Sequence, residues 1–264
     1  MFFSILIESL CPIPFPSIGN SIFLKGHCCF WEQGKRAKRQ SKLLFDRRKW
    51  RAFAMLLRPD FTFYLKGIRV RRYDLTQHNP NAIPMPTAVM DRDSIVGITI
   101  HNTNRKPPLY SMGTAEQCVW KTMHQELKDV RVHFYVDEYG AWQTLPLQLA
   151  GWHATDGAGN GNRRTIAIEC AMSPNNTIED RLSENNCAKL AACLLIWMNL
   201  PKAALFTHTY WLNCRDGVIG NREELNTHPH PYKMCPSYIL PHWDAFEERV
   251  WAYYDQMLAT IAAA

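Results

Sequence analysis

The chain has 264 residues, of which 47% are apolar and 20% are charged, a composition typical of a globular protein with one domain-sized core. No apolar run reaches the roughly 18 residues that a membrane span requires, so stable membrane insertion is not expected. The nine cysteines form no Cys-x-x-Cys pair and do not resemble a small disulfide scaffold. This pattern favours buried thiols in a reducing compartment.

The formal charge of +6 is concentrated at the start of the chain. Residues 1–54 hold ten Lys and Arg against three acidic residues, which leaves about −1 for the remainder. This segment shows no sustained helical or strand period, and we predict a basic extension that is disordered or not native, with Met55 as the biological start. A basic arm for an anionic envelope or nucleic acid is the alternative. Because the remainder of the chain has a net charge of about −1, no nucleic-acid partner is predicted. The apolar first residues lack a positively charged start, so no signal peptide is predicted either.

Along the rest of the chain, residues 55–90 form a predicted β-rich lead-in with Gly67 at a hairpin turn, and residues 91–264 form the main domain. Predicted strands are IVGITIH, VHFYVDE, AWQTLPL and TIAIECAM. Predicted helices are TAEQCVWKTMHQEL with Thr114 as its cap, LSENNCAKLAACLLIWMNL opened by Ser183, and PHWDAFEERVWAYYDQML. This alternation predicts an α/β fold with a central mixed β-sheet flanked by helices.

Three potential metal ligands lie at or beside predicted strand ends. They are His101 in IVGITIHNT, His208 in LFTHTYW and Cys235 in YKMCP. Two imidazoles and one thiolate suit zinc, and three protein ligands leave the fourth position that a catalytic site needs. Taken alone each residue is a weak signal, because a lone histidine or cysteine is more often structural. Their separations are too long for a local zinc motif.

The amino-acid sequences of five segments, and their order along the chain, say more about the kind of protein. HNT at His101, HFYVDEYGAWQTLP, GWHATDGAGNGN, TIAIEC and YKMCP together resemble the zinc-dependent N-acetylmuramoyl-L-alanine amidases of phage endolysins, which are related to the peptidoglycan recognition proteins. The resemblance covers roughly residues 92–245. It implies an amidase-like fold, a bound Zn²⁺, and hydrolysis of the amide bond between N-acetylmuramic acid and L-alanine by a zinc-activated water.

The resemblance also implies residue roles. The first zinc histidine falls on His101 and the zinc cysteine on Cys235. Glu169 matches a glutamate beside the zinc water, where it would serve as general base. Lys233 matches a lysine that stabilises the reacting carbonyl. These two form the predicted catalytic pair, since Val132 stands where some relatives place a catalytic tyrosine.

A further set of residues is predicted to bind the substrate. His153 lies in the segment that lines the substrate groove in the family. Trp152 and Asn102 are also predicted to bind the substrate. A tryptophan suits stacking on a saccharide, although aromatic residues fill cores more often than they bind sugars.

The second zinc histidine is the least determined position. Close relatives place it about eight residues before the cysteine, where this chain has Thr227. In the family this histidine ends a strand and is followed by a polar and aromatic pair, as in FTHTYW. The resemblance therefore implies His208 as the ligand, and His228 is the alternative. The choice makes LNCRDGVIGNREELNTHPHP an insertion, predicted as a long surface loop.

Together these features predict a peptidoglycan hydrolase, an endolysin or autolysin. A monomer is expected, held in the host cytoplasm before lysis and then acting on the bacterial cell wall. The alternative is a non-catalytic peptidoglycan-binding module of the same fold, which the presence of Cys235 disfavours.

Overall fold

The structure is a computed structural model that describes residues 57–80, 90–108 and 112–263, all within one compact unit. The predicted basic extension over residues 1–54 and the predicted start at Met55 lie outside these ranges, as does part of the lead-in. Within the described ranges, no helix combines the length and apolar character needed to cross a membrane.

A mixed sheet of seven strands forms the centre of the described fold, in the order β1-β2-β5-β4-β6-β3-β7. The adjacent strands β4, β6, β3 and β7 run parallel, whereas the β1–β2 and β4–β5 pairs are antiparallel. The predicted mixed sheet is therefore confirmed. The strands are β1 Phe61–Leu65, β2 Ile68–Arg72, β3 Gly97–Asn104, β4 Phe134–Asp137, β5 Gly140–Gln143, β6 Thr165–Met172 and β7 Leu205–Thr207.

Helices connect and cover the strands. They are α1 Leu75–His78, α2 Thr114–Met123, α3 Asn160–Arg164, α4 Ile178–Trp197, α5 His208–Arg215, α6 Arg222–Thr227 and α7 Trp243–Ala262, with short 3₁₀ turns at Arg92–Ser94 and Leu240–His242. The helices α4 and α7 are each 20 residues long. Both are where the sequence predicts long helices.

The lead-in joins the sheet as its outer hairpin. Lys66 and Gly67 have φ values of 46° and 84°, the positive pair that a tight two-residue hairpin turn requires. The second strand of the hairpin pairs in parallel with β5, and its Val70 is fully buried. The predicted turn at Gly67 is therefore present.

The alternation of side chains along the strands divides the interior into two cores. Ile98 and Ile100 of β3 point to the face covered by α4 and α7, where the larger core lies. On the opposite face, Ala167 and Tyr135 pack with α2 in a smaller core. Because alternate residues point to opposite faces, His101 shares this second face with Ala167.

The two predicted helix caps are corrected by the structure. Gly113 precedes α2 without a side-chain cap, and the Thr114 hydroxyl instead exchanges hydrogen bonds with the backbone of Lys106. The helix α4 begins five residues before Ser183, because Thr177 and Asp180 form a reciprocal capping box that satisfies the first backbone N–H groups. Ser183 is buried inside the helix.

The predicted insertion is also corrected, because it is not a loop. Its first residues complete α5 and its second half forms α6, which Asn221 caps by accepting a hydrogen bond from the Glu224 N–H. Asn213 of α5 donates to the carbonyl groups of Leu225 and His228. The turn around Gly217 is thus a short connection between two packed helices.

Candidate metal centre and active site

The register of three parallel strands places the site. His101 on β3 pairs with Glu169 on β6, and Ile100 pairs with Thr207, the last residue of β7. His208 follows Thr207 directly as the first residue of α5. His208, His101 and Glu169 therefore lie side by side across the sheet, although they are far apart in the sequence.

His101, His208 and Cys235 converge there. Their potential ligand atoms all lie within 4.8 Å of one another, and all three residues are buried. The Cys235 Sγ is 3.8 Å from the Nδ1 of His101, and the rings of His101 and His208 lie 4.7 Å apart between centroids. This arrangement is the one strong metal-ligand cluster within the described ranges.

Hydrogen bonds hold Cys235 and the residues that follow it in place. Its backbone N–H donates to the Thr209 hydroxyl at 2.9 Å, and its carbonyl accepts from the Thr209 N–H. The Asn102 side-chain carbonyl accepts from the N–H groups of Tyr238 and Ile239, while its amide group donates to Cys170. Both polar atoms of Asn102 thus bind protein backbone.

Burial sets the protonation states of the three potential ligands. It holds the pKa of His101 well below its usual value, with repulsion from His208 as the next cause. Burial also lowers the pKa of His208 to about 3, with the positive charge of Lys233 contributing. Both imidazoles are therefore neutral at pH 7, the form that binds metals. Burial raises the pKa of the Cys235 thiol to about 12, so metal binding would release its proton.

These residues fit a zinc ion on two grounds. In a tetrahedral site with ordinary Zn–N and Zn–S bonds, the nitrogen and sulfur atoms lie about 3.6 Å apart, close to the 3.8 Å between Cys235 and His101. In addition, the Nδ1 of His208 is buried and has no hydrogen-bond partner within the described residues. A buried polar atom without a partner is costly, and a metal ion would satisfy it.

Glu169 contributes a half-buried carboxyl group beside the cluster. Its Oε2 has no solvent contact and no hydrogen-bond partner among the described residues. Burial raises the pKa of Glu169 to about 7, partly offset by the charge of Lys233. Lys233 itself is exposed on the segment that precedes Cys235. The site therefore combines three neutral donors, one carboxyl that titrates near neutrality and one ammonium group.

The other predicted residues occupy distinct positions. His153 is buried, with its Nδ1 3.0 Å from the Nε2 of His101, and Trp152 is half-buried and pairs with Arg131 through its backbone. His228 lies at the exposed C-terminal end of α6, outside the cluster. Thr155, which no sequence pattern singles out, contacts His208.

His133 has a structural environment. Its Nε2 donates to the Leu149 carbonyl and its Nδ1 accepts from the Ala167 N–H. Both ring nitrogens of His133 are thus used within the fold.

A mixed α/β sheet with a cluster of two histidines and a cysteine beside the Glu169 carboxyl defines an α/β domain with a possible metal site. Residues 91–236 match the family model described as N-acetylmuramoyl-L-alanine amidase. This match covers more than half of the chain. The protein therefore belongs to the N-acetylmuramoyl-L-alanine amidase family, as its motifs indicate.

Individual relatives agree with this assignment. The N-acetylmuramoyl-L-alanine amidases XlyA and CwlH of Bacillus subtilis (strain 168) are 28% and 29% identical over 150 residues, covering 57% and 56% of this chain. The matched regions make up 42% and 50% of those two proteins, so the chain spans half of their length or less.

Solved structures share the fold. PlyL has a TM-score of 0.52 at 26% identity, with 69% of this chain and 96% of that chain covered. The catalytic domain of XlyA has a TM-score of 0.51 at 25% identity, with 69% and 98% covered. The similarity therefore extends over nearly all of each of these two structures.

Proposed function

We propose that this protein is a zinc-dependent amidase that hydrolyses the bond between N-acetylmuramic acid and L-alanine in peptidoglycan. The observation that carries the proposal is the convergence of His101, His208 and Cys235 beside the unpartnered carboxylate of Glu169. Membership of the amidase family supplies the substrate class. The cell-wall role follows from this chemistry, as an endolysin or autolysin.

In this proposal His101, His208 and Cys235 hold the metal. When bound, zinc would supply an activated water near neutral pH and would polarise a carbonyl oxygen. The three proposed ligands are two neutral imidazoles and one thiolate. His228 is not used, because it lies at the exposed end of α6.

Glu169 is the proposed general base and acid. A carboxyl whose pKa is about 7 is well matched to accepting and returning a proton at neutral pH. Its unpartnered Oε2 leaves an acceptor free to receive the proton from the attacking water. The same oxygen would then deliver that proton to the alanine nitrogen as the amide bond breaks.

Lys233 is proposed to stabilise the negative charge that develops on the reacting carbonyl oxygen. Its charge acts on the pKa values of Glu169, His101 and Cys235, which supports a position of its ammonium group near the site. Trp152 is the proposed sugar-stacking residue, because it is only half-buried and an indole ring suits stacking on a saccharide.

The proposed partner is peptidoglycan, bound by a monomer. The proposed location is the host cytoplasm before lysis, followed by action on the bacterial cell wall. These assignments rest on the likeness to endolysin and autolysin amidases.

The test measures zinc content by elemental analysis together with the release of new amino termini from purified peptidoglycan. We expect one zinc per chain in the wild type, and loss of both zinc and activity in Cys235→Ser. Glu169→Gln should retain zinc while its activity falls about 10²–10⁴-fold. Cys214→Ser is the matched control, because Cys214 is an exposed cysteine outside the cluster.

Two outcomes would contradict the proposal. A wild-type protein that binds peptidoglycan but frees no L-alanine amino termini would be the non-catalytic binding module. A Cys235→Ser variant with full zinc content and activity would remove Cys235 from the metal centre.

A further inference from the structure

The segment from His153 to Thr155 contacts both histidines of the metal centre at their Nε2 atoms. His153 Nδ1 lies 3.0 Å from the Nε2 of His101, and the two rings meet edge to face at 90°. The opposite nitrogen of His101, Nδ1, faces the Sγ of Cys235. The contact with His153 therefore leaves Nδ1 as the nitrogen of His101 that points into the cluster.

Thr155 makes the equivalent contact with the second histidine. Its Oγ1 lies 3.2 Å from the Nε2 of His208. The other nitrogen of His208, Nδ1, is buried and without a partner in the described part of the chain. Both histidines are thus engaged at Nε2 by one short segment, and both keep Nδ1 for the cluster.

The backbone of this segment is held in an unusual conformation. Thr155 has a φ of 59°, a left-handed geometry that a β-branched residue rarely adopts. The guanidinium group of Arg215 donates to the Thr155 carbonyl at 2.9 Å. The Asn162 side chain accepts from the N–H groups of His153 and Ala154, each at 2.7 Å. These contacts hold the strained turn that aims the Thr155 hydroxyl at His208.

We propose that His153 and Thr155 are positioning residues that orient His101 and His208, so that each imidazole presents Nδ1 to the metal. In this arrangement the Nε2–H of His101 donates to His153 Nδ1, and the Nε2–H of His208 donates to Thr155 Oγ1. Such contacts fix the tautomer and the ring orientation of a ligating histidine. The inference rests on the proposed metal centre, and it assigns His153 to the metal rather than to the substrate.

Pairs of variants distinguish the effect of losing the hydrogen bond from the effect of changing the side-chain shape. Thr155→Val keeps the β-branch and removes the hydroxyl, whereas Thr155→Ser keeps the hydroxyl. His153→Leu removes the acceptor, whereas His153→Asn retains one near the position of Nδ1. Zn²⁺ affinity is measured by competition with a chelator, and the absorption spectrum of bound Co²⁺ reports the ligand geometry. Thermal unfolding of the metal-free proteins shows whether each variant folds.

We expect Thr155→Val and His153→Leu to weaken Zn²⁺ binding about 10–100-fold and to alter the Co²⁺ spectrum. Thr155→Ser and His153→Asn should stay within about threefold of the wild type, a much smaller loss than that range. Wild-type affinity and spectrum in a folded Thr155→Val would overturn the role of Thr155, with the proposed amidase function intact. A wild-type protein that binds no zinc would overturn both proposals.

Discussion

Glu169 occupies a site that lowers the stability of the folded protein, a cost that its proposed catalytic role would explain. Its Oε2 is shielded from water and has no hydrogen-bond partner in the part of the chain that the structure describes, and burial raises its pKa from 4.5 to about 7. A carboxyl in this state favours the protonated form in the folded protein. Function-related residues often carry such a cost, because the group must stay free to react.

Because the pKa of Glu169 is raised in the folded state, we expect the free energy of unfolding to depend on pH. Since its folded pKa is raised, its unfavourable contribution is small below pH 4.5, grows as the pH rises from 4.5 to 7, and levels off above pH 7. In metal-free protein, Glu169→Gln should be more stable than the wild type by less than about 1 kcal/mol at pH 5 and by up to about 3 kcal/mol at pH 8. Urea unfolding in the presence of a chelator at both pH values measures the difference.

The histidines titrate in both proteins, so subtracting the two stability curves isolates Glu169. A difference that does not change between pH 5 and pH 8 would contradict the raised pKa of this carboxyl. Equal stability at pH 8 would contradict it as well.

Among the secondary-structure elements, α4 depends most clearly on its first turn. Thr177 accepts a hydrogen bond from the Asp180 N–H, and the Asp180 carboxylate accepts from the Thr177 N–H. The same carboxylate accepts from Arg105 just beyond the end of β3. The capping box therefore also connects the helix to the strand that carries His101.

Removal of the cap should destabilise the protein without changing the metal site. Thr177→Ala is expected to lower the free energy of unfolding by about 1 kcal/mol, because one backbone N–H of the first turn loses its acceptor. Thr177→Ser should remain close to the wild type, since it keeps the hydroxyl. Urea unfolding measures both variants, and equal losses in the two would show that the methyl group rather than the cap matters.

For the whole molecule, the proposed metal would link the ends of β3 and β7 to the segment around Cys235. A ligand that binds only the folded state stabilises it by about 4 kcal/mol when its free concentration is a thousandfold above Kd. For a domain of this size, each kcal/mol corresponds to about 2–4 °C in Tm.

Metal removal should therefore lower the Tm of the wild type by about 10 °C. Differential scanning calorimetry with saturating Zn²⁺ and with excess chelator measures the shift. Cys235→Ser should show a much smaller shift, whereas Cys214→Ser should behave as the wild type. An unchanged wild-type Tm would mean that the cluster holds no zinc under these conditions.

Much of the fold could be predicted from local sequence patterns. The run TIAIECAM forms β6 with the predicted bounds, and Gly67 forms the predicted hairpin turn. Local patterns were less informative where two residues were equally good candidates for the same role. Ser183 resembles a helix cap as Thr177 does, and only the capping box of Thr177 with Asp180 decides between them. In the same way, the glycines and prolines of the insertion predicted a loop, although the segment contains the end of α5 and all of α6.

By itself, the sequence determined the class of fold, the buried strands and the amidase family, because apolar periodicity and ordered motifs are properties of neighbouring residues. The tertiary structure alone decided which distant residues meet. Strand register sets His101 level with Glu169 and with His208, and it leaves His228 at the exposed end of α6. The contact of Thr155 with His208 was equally invisible in the sequence. Such contacts depend on the pairing and packing of segments far apart in the chain, which no local pattern records.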